Sequence, residues 1–339
     1  MNRLSKIQSN LILLAVCILS RAITSIYYIE DIDSLRFALG VHDYSIMKLQ
    51  PHFPGYPIFL FFAKVVFFFA NSLGITFSLM GGISIFIIIH FTCKLARIEL
   101  NSPAGLFCSA TIFFNPLFWI ISNRYMPDIF GAAIMVAALY YLILHNDLDH
   151  KLIFGAFLTG ILAGTRLSYL PFLIVPTAFA VYKSENKKYF FYSFLIGILV
   201  WLLPFVWVTG WNDLITAASK QTIGHFTDFG GTSITENNWN LRLELFFSSI
   251  WADGFGGFLA GRHWLTIILS ILFSLLLLLS AKSFINNFKI NDVAKLLFYS
   301  MLVYSIWILL FQNVIHKSRH VIPIVIVLLY FLAVSTSIL

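Results

Sequence analysis

Three acids, Glu30, Asp31 and Asp33, stand together where the first apolar segment of the chain ends. A carboxylate held at that boundary and partly desolvated can act as a general base toward a hydroxyl or amide acceptor. The same acids also read as a solvated helix cap. Near the other terminus, "HKSRH" gathers His316, Lys317, Arg319 and His320 ahead of the last apolar segment. Such a cluster suits a phosphate, which the planar fork of arginine binds through paired donors; the alternative is a basic cap on a segment running the other way. Arg166 interrupts an apolar hairpin in "AGTRLSYLP" and calls for an anionic partner. In "NRYMPD", Arg124 and Asp128 are four residues apart, spaced to pair with one another or to meet a substrate. "PHFPGYP" around His52 and Tyr56 fixes φ at three prolines and turns tightly at Gly55, so that His52 is either a ligand contact or a structural histidine. Arg21, inside the first apolar segment, is expected to snorkel or to pair with an acid of the loop that follows, the alternative being a substrate contact.

The elements that must position these groups are apolar. Of the 339 residues, 59% are hydrophobic, 11% are charged and 36 are Phe, a composition that places the chain in a lipid bilayer. The formal charge of +7 comes from dispersed residues that form no basic stripe, so nucleic acid is not a partner. Cys17, Cys93 and Cys108 show no metal or redox spacing and read as small buried hydrophobes. The N-terminal "MNRLSK" and "LILLAVCIL" are followed by no small-residue cleavage site, so an uncleaved first helix is expected. There is no P-loop, H-E-x-x-H, G-x-S-x-G or dinucleotide fingerprint, which argues against a cytosolic nucleotide cofactor.

A span needs about 20 mostly apolar residues. Candidate helices fall at 9–29, 74–93, 104–122, 129–145, 151–165, 167–182, 189–209, 263–281, 294–315 and 321–338. The run Pro57–Ala70 is ambiguous. If it does not cross, Arg3, Lys6, Lys94, Arg97, Lys151, Lys183, Lys187, Lys188, Lys282, Lys289 and Lys295 all fall on one side, as cytoplasmic anchors should. If it crosses, those loops downstream of it invert. The expectation is therefore an all-α polytopic membrane protein of about ten spans with both termini cytoplasmic and Pro57–Ala70 as a juxtamembrane helix. Residues 1–339 form a single transmembrane domain, with a first extracytoplasmic loop at 30–73 and a larger one at 210–262. Glu30, Asp33, Arg124, Arg166 and Arg319 then share the extracytoplasmic face.

Residues Asp33-Ser34-Leu35-Arg36-Phe37-Ala38, His52-Phe53-Pro54-Gly55-Tyr56-Pro57, Asp128 and Arg319-His320-Val321-Ile322-Pro323, in that order, resemble the motifs of the GT-C membrane glycosyltransferases, which include protein O-mannosyltransferases and lipid A aminoarabinose transferases. The resemblance covers the N-terminal third best. It departs at Phe53, where the family has the first proline of H-P-P, and the chain is expected to lack the sizeable C-terminal periplasmic domain that some members use for acceptors.

The resemblance implies a bacterial inner-membrane enzyme moving a hexose or pentose from a polyprenyl-phosphate-linked donor to a protein, lipid or glycan acceptor outside the cytoplasm. Asp33 is the implied base, with Asp31 second and Asp128 positioning the acceptor or a divalent cation such as Mg or Mn. Arg166, Lys317, Arg319 and His320 would hold the donor phosphate. Glu30, Arg36, His52, Tyr56 and Arg124 would position substrate. The competing expectation is a transporter or lipid flippase using the same charges as a pathway, but such proteins place ionisable groups near the bilayer midplane and often carry internal repeats.

Overall fold

The computed structural model describes residues 5–144, 149–185, 187–315 and 317–336. Arg3, His316, residue 145 and residues 337–338 of the expected elements lie outside them. The described chain is helical, with a single isolated bridge between Ser45 and Gln50. Six stretches are long and apolar enough to cross a membrane: Lys6–Ile23, Leu73–Leu95, His150–Lys183, Lys187–Thr209, Asp292–Phe311 and Ser318–Ser335. Shorter apolar helices accompany them at Pro57–Ala70, Pro103–Phe113, Asp128–Ile143 and Leu265–Leu279.

In chain order the helices are α1 (Lys6–Ile23), α2 (Ile32–His42), α3 (Pro57–Ala70), α4 (Leu73–Leu95), α5 (Pro103–Phe113), α6 (Pro116–Ile121), α7 (Asp128–Ile143), α8 (Asp149–Arg166), α9 (Leu170–Lys183), α10 (Lys187–Thr209), α11 (Trp211–Gly224), α12 (Trp239–Ser248), α13 (Leu265–Ile290), α14 (Asp292–Phe311) and α15 (Ile322–Thr336). The sequence of α15, "IPIVIVLLYFLAVST", is apolar all round, and a helix of that kind is stable only when surrounded. It is accordingly the axis of the core. Ile322, Val325, Leu329 and Ala333 are fully buried in one cluster with Ile85 and Ile88 of α4, Cys108 of α5 and Ala132 of α7.

Helices stand at most of the expected positions, with four differences. α1 stops at Ile23 rather than 29, where the Thr24 and Ser25 hydroxyls donate to the Ser20 and Ala22 carbonyls and compete with the helix ladder. The expected helix 104–122 is broken into α5 and α6. Pro116 has no N–H to continue the ladder, and Asn115 caps the new start by accepting from the Phe118 amide at 3.1 Å while donating to the Gly254 carbonyl at 2.6 Å. The helix expected to end at 281 runs on to Ile290, because the polar residues after 281 include no breaker before Asn291, whose side chain caps α14. The segment 210–262, expected as a loop, contains α11 and α12. Arg242 is buried beneath it and donates to the Leu309, Gln312 and Gly231 carbonyls at 2.7, 3.0 and 2.8 Å, closing the end of α14.

α3 is a short apolar helix. Fourteen residues span about 21 Å at 1.5 Å each, short of the roughly 30 Å hydrocarbon core. Asn71 turns the chain in the left-handed region, and α4 starts two residues later. One side of α3 (Ile58, Phe59, Leu60, Ala63) is buried, with Phe59 stacked on Phe77 of α4, while Phe61, Phe62, Val65, Phe68 and Phe69 are exposed. The Lys64 amine, in the middle of the helix, donates to the Val41 carbonyl of α2 at 2.8 Å. α3 thus packs one side on α2 and α4 and leaves an apolar side exposed.

Arg21 overturns its expectation. It neither snorkels nor meets an acid among the described residues. Fully buried, it donates to Ser122 Oγ and the Phe113 carbonyl at 3.0 Å each and stacks 3.8 Å from the Trp119 ring. The broken end of α5 supplies the carbonyl acceptor it needs, so Arg21 pins α1 to the α5–α6 junction. Arg21→Met should lower the unfolding free energy by about 1–3 kcal/mol, the usual cost of leaving a buried carbonyl unpaired. Thermal unfolding of the purified protein in detergent measures this; an unchanged midpoint would show that the staple carries no load.

Candidate active site

α2 presents the acids. Asp31 is its N-cap, accepting from the Ser34 amide at 2.7 Å, so the helix-cap reading holds for Asp31. Asp33 lies in the first turn, where the helix end favours negative charge, and its side chain is only 6% exposed. The C-terminal cluster meets it there from 284 residues away. Lys317 Nζ and Arg319 Nη2 reach Asp33 Oδ2 at 2.7 and 2.6 Å, and Arg36 Nη1 stands 3.4 Å from Oδ1.

Arg319 is the hub of the site. Besides Asp33, its guanidinium lies 3.8 Å from Asp128 Oδ1 and 4.0 Å from Asp31 Oδ2, and Nη1 meets Met126 Sδ at 2.9 Å. Two satellite ion pairs flank it. Arg124 binds Glu30 and, at 2.7 Å, Asp31, rather than the Asp128 four residues along its own chain. Asp128, fully buried at the start of α7, pairs instead with Arg166 at 2.8 Å. That is the anionic partner Arg166 required. Gly131 permits the contact, since a Cβ there would lie 2.6 Å from Arg166 Cβ. Arg166 also donates to Tyr56 Oη at 3.2 Å and lies over the Tyr169 ring. His52 Nε2 is 3.1 Å from the same Tyr56 oxygen.

Glu30, Asp31, Asp33, Arg36, His52, Tyr56, Arg124, Asp128, Arg166, Lys317 and Arg319 therefore stand in one electrostatic network, whereas Arg21 lies outside it. His320 stands apart in contact: its ring is buried and its carbonyl accepts from Tyr304 at 3.2 Å, with no hydrogen bond to an acid among the described residues. Met126, Tyr169 and Tyr304 were not foreseen. Only Tyr169 left a trace in the sequence, three residues beyond Arg166 in an apolar stretch. Gln221 of α11, also unforeseen, ties segment 210–262 to the Phe53 amide and roofs the "PHFPGYP" turn.

Electrostatics sets the proton inventory. Burial alone would raise the Asp33 carboxyl, but Lys317 and Arg319 outweigh it and hold the group well below the usual carboxylate range. Burial pushes the His52 imidazole down to about 3, against the opposing pull of Asp33. His52 is thus neutral in the folded protein, while an unfolded histidine takes up a proton near pH 6.5. The unfolded state binds more protons between those values, so stability is complete above about pH 6.5 and is lost as pH falls toward 3. The thermal midpoint should fall from pH 7 to pH 4, and this fall should be shallower in His52→Gln; an identical pH profile would contradict the assignment.

Among the described residues no group of three His, Cys, Asp or Glu side chains is arranged to hold a metal ion, and Asp31, Asp33 and Asp128 are each turned to the guanidinium of Arg319.

At the other end of the bundle the chemistry is plain. Lys6 pairs with Glu99 at 2.8 Å, Lys94 sits over Tyr140 near Lys151, and Arg97 lies near Tyr330 and Asn291. Leu142, Leu152, Ala180 and Phe190 cluster at that end, which makes α8 and α9 a hairpin turned at Arg166. The loops that carry ordinary basic anchors are thus opposite Asp33.

No protein-family model matches the chain, and no curated protein matches it significantly. Among solved structures it is similar to ArnT from Cupriavidus metallidurans, both bound to undecaprenyl phosphate (TM-score 0.63, 11% identity, 97% of this chain and 60% of that one) and in the apo state (TM-score 0.65, 12% identity, 97% and 59%). The chain spans about 60% of the length of those proteins. At such identity what is shared is the fold alone, and the chain has the all-α fold of those ArnT structures.

Proposed function

We propose that this protein is a membrane glycosyltransferase that moves a sugar from a polyprenyl-phosphate carrier to an acceptor on the extracytoplasmic side. The observation that carries the reading is the meeting of Lys317 and Arg319 on Asp33, two phosphate-binding cations on one carboxylate, at the end of the bundle opposite the basic anchor loops. The similar ArnT structure bound to undecaprenyl phosphate supports the choice of carrier. The gathering of ionisable groups at one end, rather than at the midplane, favours an enzyme over a transporter.

In the resting site Asp33 is a poor base, because both cations would have to release it before it could take a proton. The donor phosphate competes for those same cations. As Lys317 and Arg319 turn to the phosphate, Asp33 is freed to accept the proton of the acceptor. The acceptor oxygen or nitrogen then bonds to the anomeric carbon, the carbon–oxygen bond to phosphate breaks, and its electron pair leaves with the polyprenyl phosphate. Cations already placed on that oxygen stabilise the charge as it develops. Buried Asp128 and Arg166 hold the floor of the site, and Glu30, Asp31 and Arg124 fasten its rim. No step passes through a metal.

The test is turnover. Purified protein, incubated with undecaprenyl-phosphate hexoses and pentoses and an extract of cell-envelope acceptors, should release undecaprenyl phosphate detectable by mass spectrometry. Intact donors across the whole set would count against the proposal.

A further inference from the structure

The polarity of one hydrogen-bond chain can be read without reference to any proton position. Arginine carries only donors, so at the 3.2 Å contact between Arg166 Nη1 and Tyr56 Oη the tyrosine oxygen accepts. The Tyr56 oxygen could accept a second time, but its buried hydroxyl proton has no other acceptor among the described residues, so it goes to His52 Nε2 at 3.1 Å. An Nε2 that accepts belongs to the tautomer with its proton on Nδ1. Asp128, which anchors Arg166 at 2.8 Å, thus fixes the tautomer of a histidine two residues further along the chain of contacts.

That Nδ1–H has no use inside the protein. It is buried and has no hydrogen-bond partner among the described residues. The ring packs edge-on against Phe37 and Tyr56, at 5.9 and 5.3 Å between centroids. The charged groups that act on it are Asp33, Arg166, Arg36 and Lys317, which places it beside the base and the phosphate-binding lysine. An unpaired buried donor is costly, and a rigid relay that maintains one implies an oxygen acceptor that arrives with a ligand.

Resting on the glycosyl-transfer reading, we propose that His52 Nδ1–H is a neutral, pre-oriented donor to a hydroxyl oxygen of the sugar on the lipid carrier. The cations of the site read the phosphate, which leaves the neutral donor for the uncharged part of the headgroup. His52 is thereby a positioning residue that distinguishes a loaded carrier from a spent one, and Tyr56, Arg166 and Asp128 act through it.

The test uses the full chain in detergent with ring-15N histidine, His52→Gln identifying the resonances of interest. In the free protein His52 should show a protonated Nδ1 and a bare Nε2. Undecaprenyl phosphate alone should leave Nδ1 in place, whereas undecaprenyl phosphate bearing a hexose or pentose should shift it. In turnover, His52→Phe should raise KM for the loaded carrier about tenfold with kcat little changed, and His52→Asn, which keeps a donor, should recover part of the loss. A proton on Nε2 would overturn the relay. A sugar-bearing lipid that binds, by thermal shift, without moving Nδ1 would overturn the role, as would an equal shift from bare undecaprenyl phosphate. Failure of both lipids to bind would instead sink the glycosyl-transfer reading, and this ligand with it, while the tautomer remained as observed.

Discussion

Asp33→Asn is expected to lower sugar transfer by about 10³-fold, within the range that a positioned general base contributes, while undecaprenyl phosphate binds more tightly than to the native protein. The second half of that expectation distinguishes exchange of partners from a simple loss of structure. In the native site the phosphate must displace a carboxylate held at 2.6 and 2.7 Å; with asparagine the competitor is gone and the cations are free. The fold should tolerate the change. Lys317 is 37% exposed and can turn to solvent, and Arg319 keeps Asp128 and Asp31 within 4 Å. Turnover and lipid affinity measured on the same preparation decide the matter. Retained activity would remove Asp33 as the base, and weaker lipid binding would remove the exchange.

The second large effect concerns Asp128 and Arg166. Neither is free to meet a substrate as charge, since one is fully buried and the other nearly so, and each is the other's principal partner. Asp128→Asn or Arg166→Met should each destabilise the protein by about 3–5 kcal/mol, because either leaves an uncompensated buried charge. The combined change Asp128→Leu with Arg166→Met should recover much of the stability, since the two side chains then pack as apolar neighbours, yet it should stay impaired in turnover because the chain to Tyr56 and His52 is cut. Unfolding midpoints of the two single variants and the double one give the coupling. Single variants as stable as the native protein would show that the pair is not what holds α7 to α8.

How much of this was legible beforehand follows from the physics of each element. Span-length apolar runs foretold the helical architecture, because lipid tolerates few alternatives. The site residues were legible as types out of place: acids and arginines at span ends must find partners. Which partner each finds was not legible. Arg124 and Asp128 are neighbours in sequence, yet α6 and α7 turn them to different companions, and Asp33 meets Arg319 only after the whole bundle has closed. Arg21 was misread for a related reason. Its partners are a backbone carbonyl and a hydroxyl exposed by the break at Asn115–Pro116, and neither announces itself as an acceptor in the sequence. Helices α11 and α12 were missed because their polarity matches that of a loop; each buries a narrow apolar edge, Leu214 and Ala217 against Ile46 and Phe205, and Phe246 in the main core.

The claim on which everything else rests is that Lys317 and Arg319 recognise a lipid-linked phosphate. The direct measurement is the affinity of purified native protein and of Lys317→Met for undecaprenyl phosphate, with undecaprenol as the control lacking the charge. We expect the native protein to bind undecaprenyl phosphate at least about tenfold more tightly than undecaprenol, and Lys317→Met to lose most of that preference, in keeping with the strength of charge-assisted hydrogen bonds. Equal affinity for the two lipids, or a preference unchanged in Lys317→Met, would contradict it.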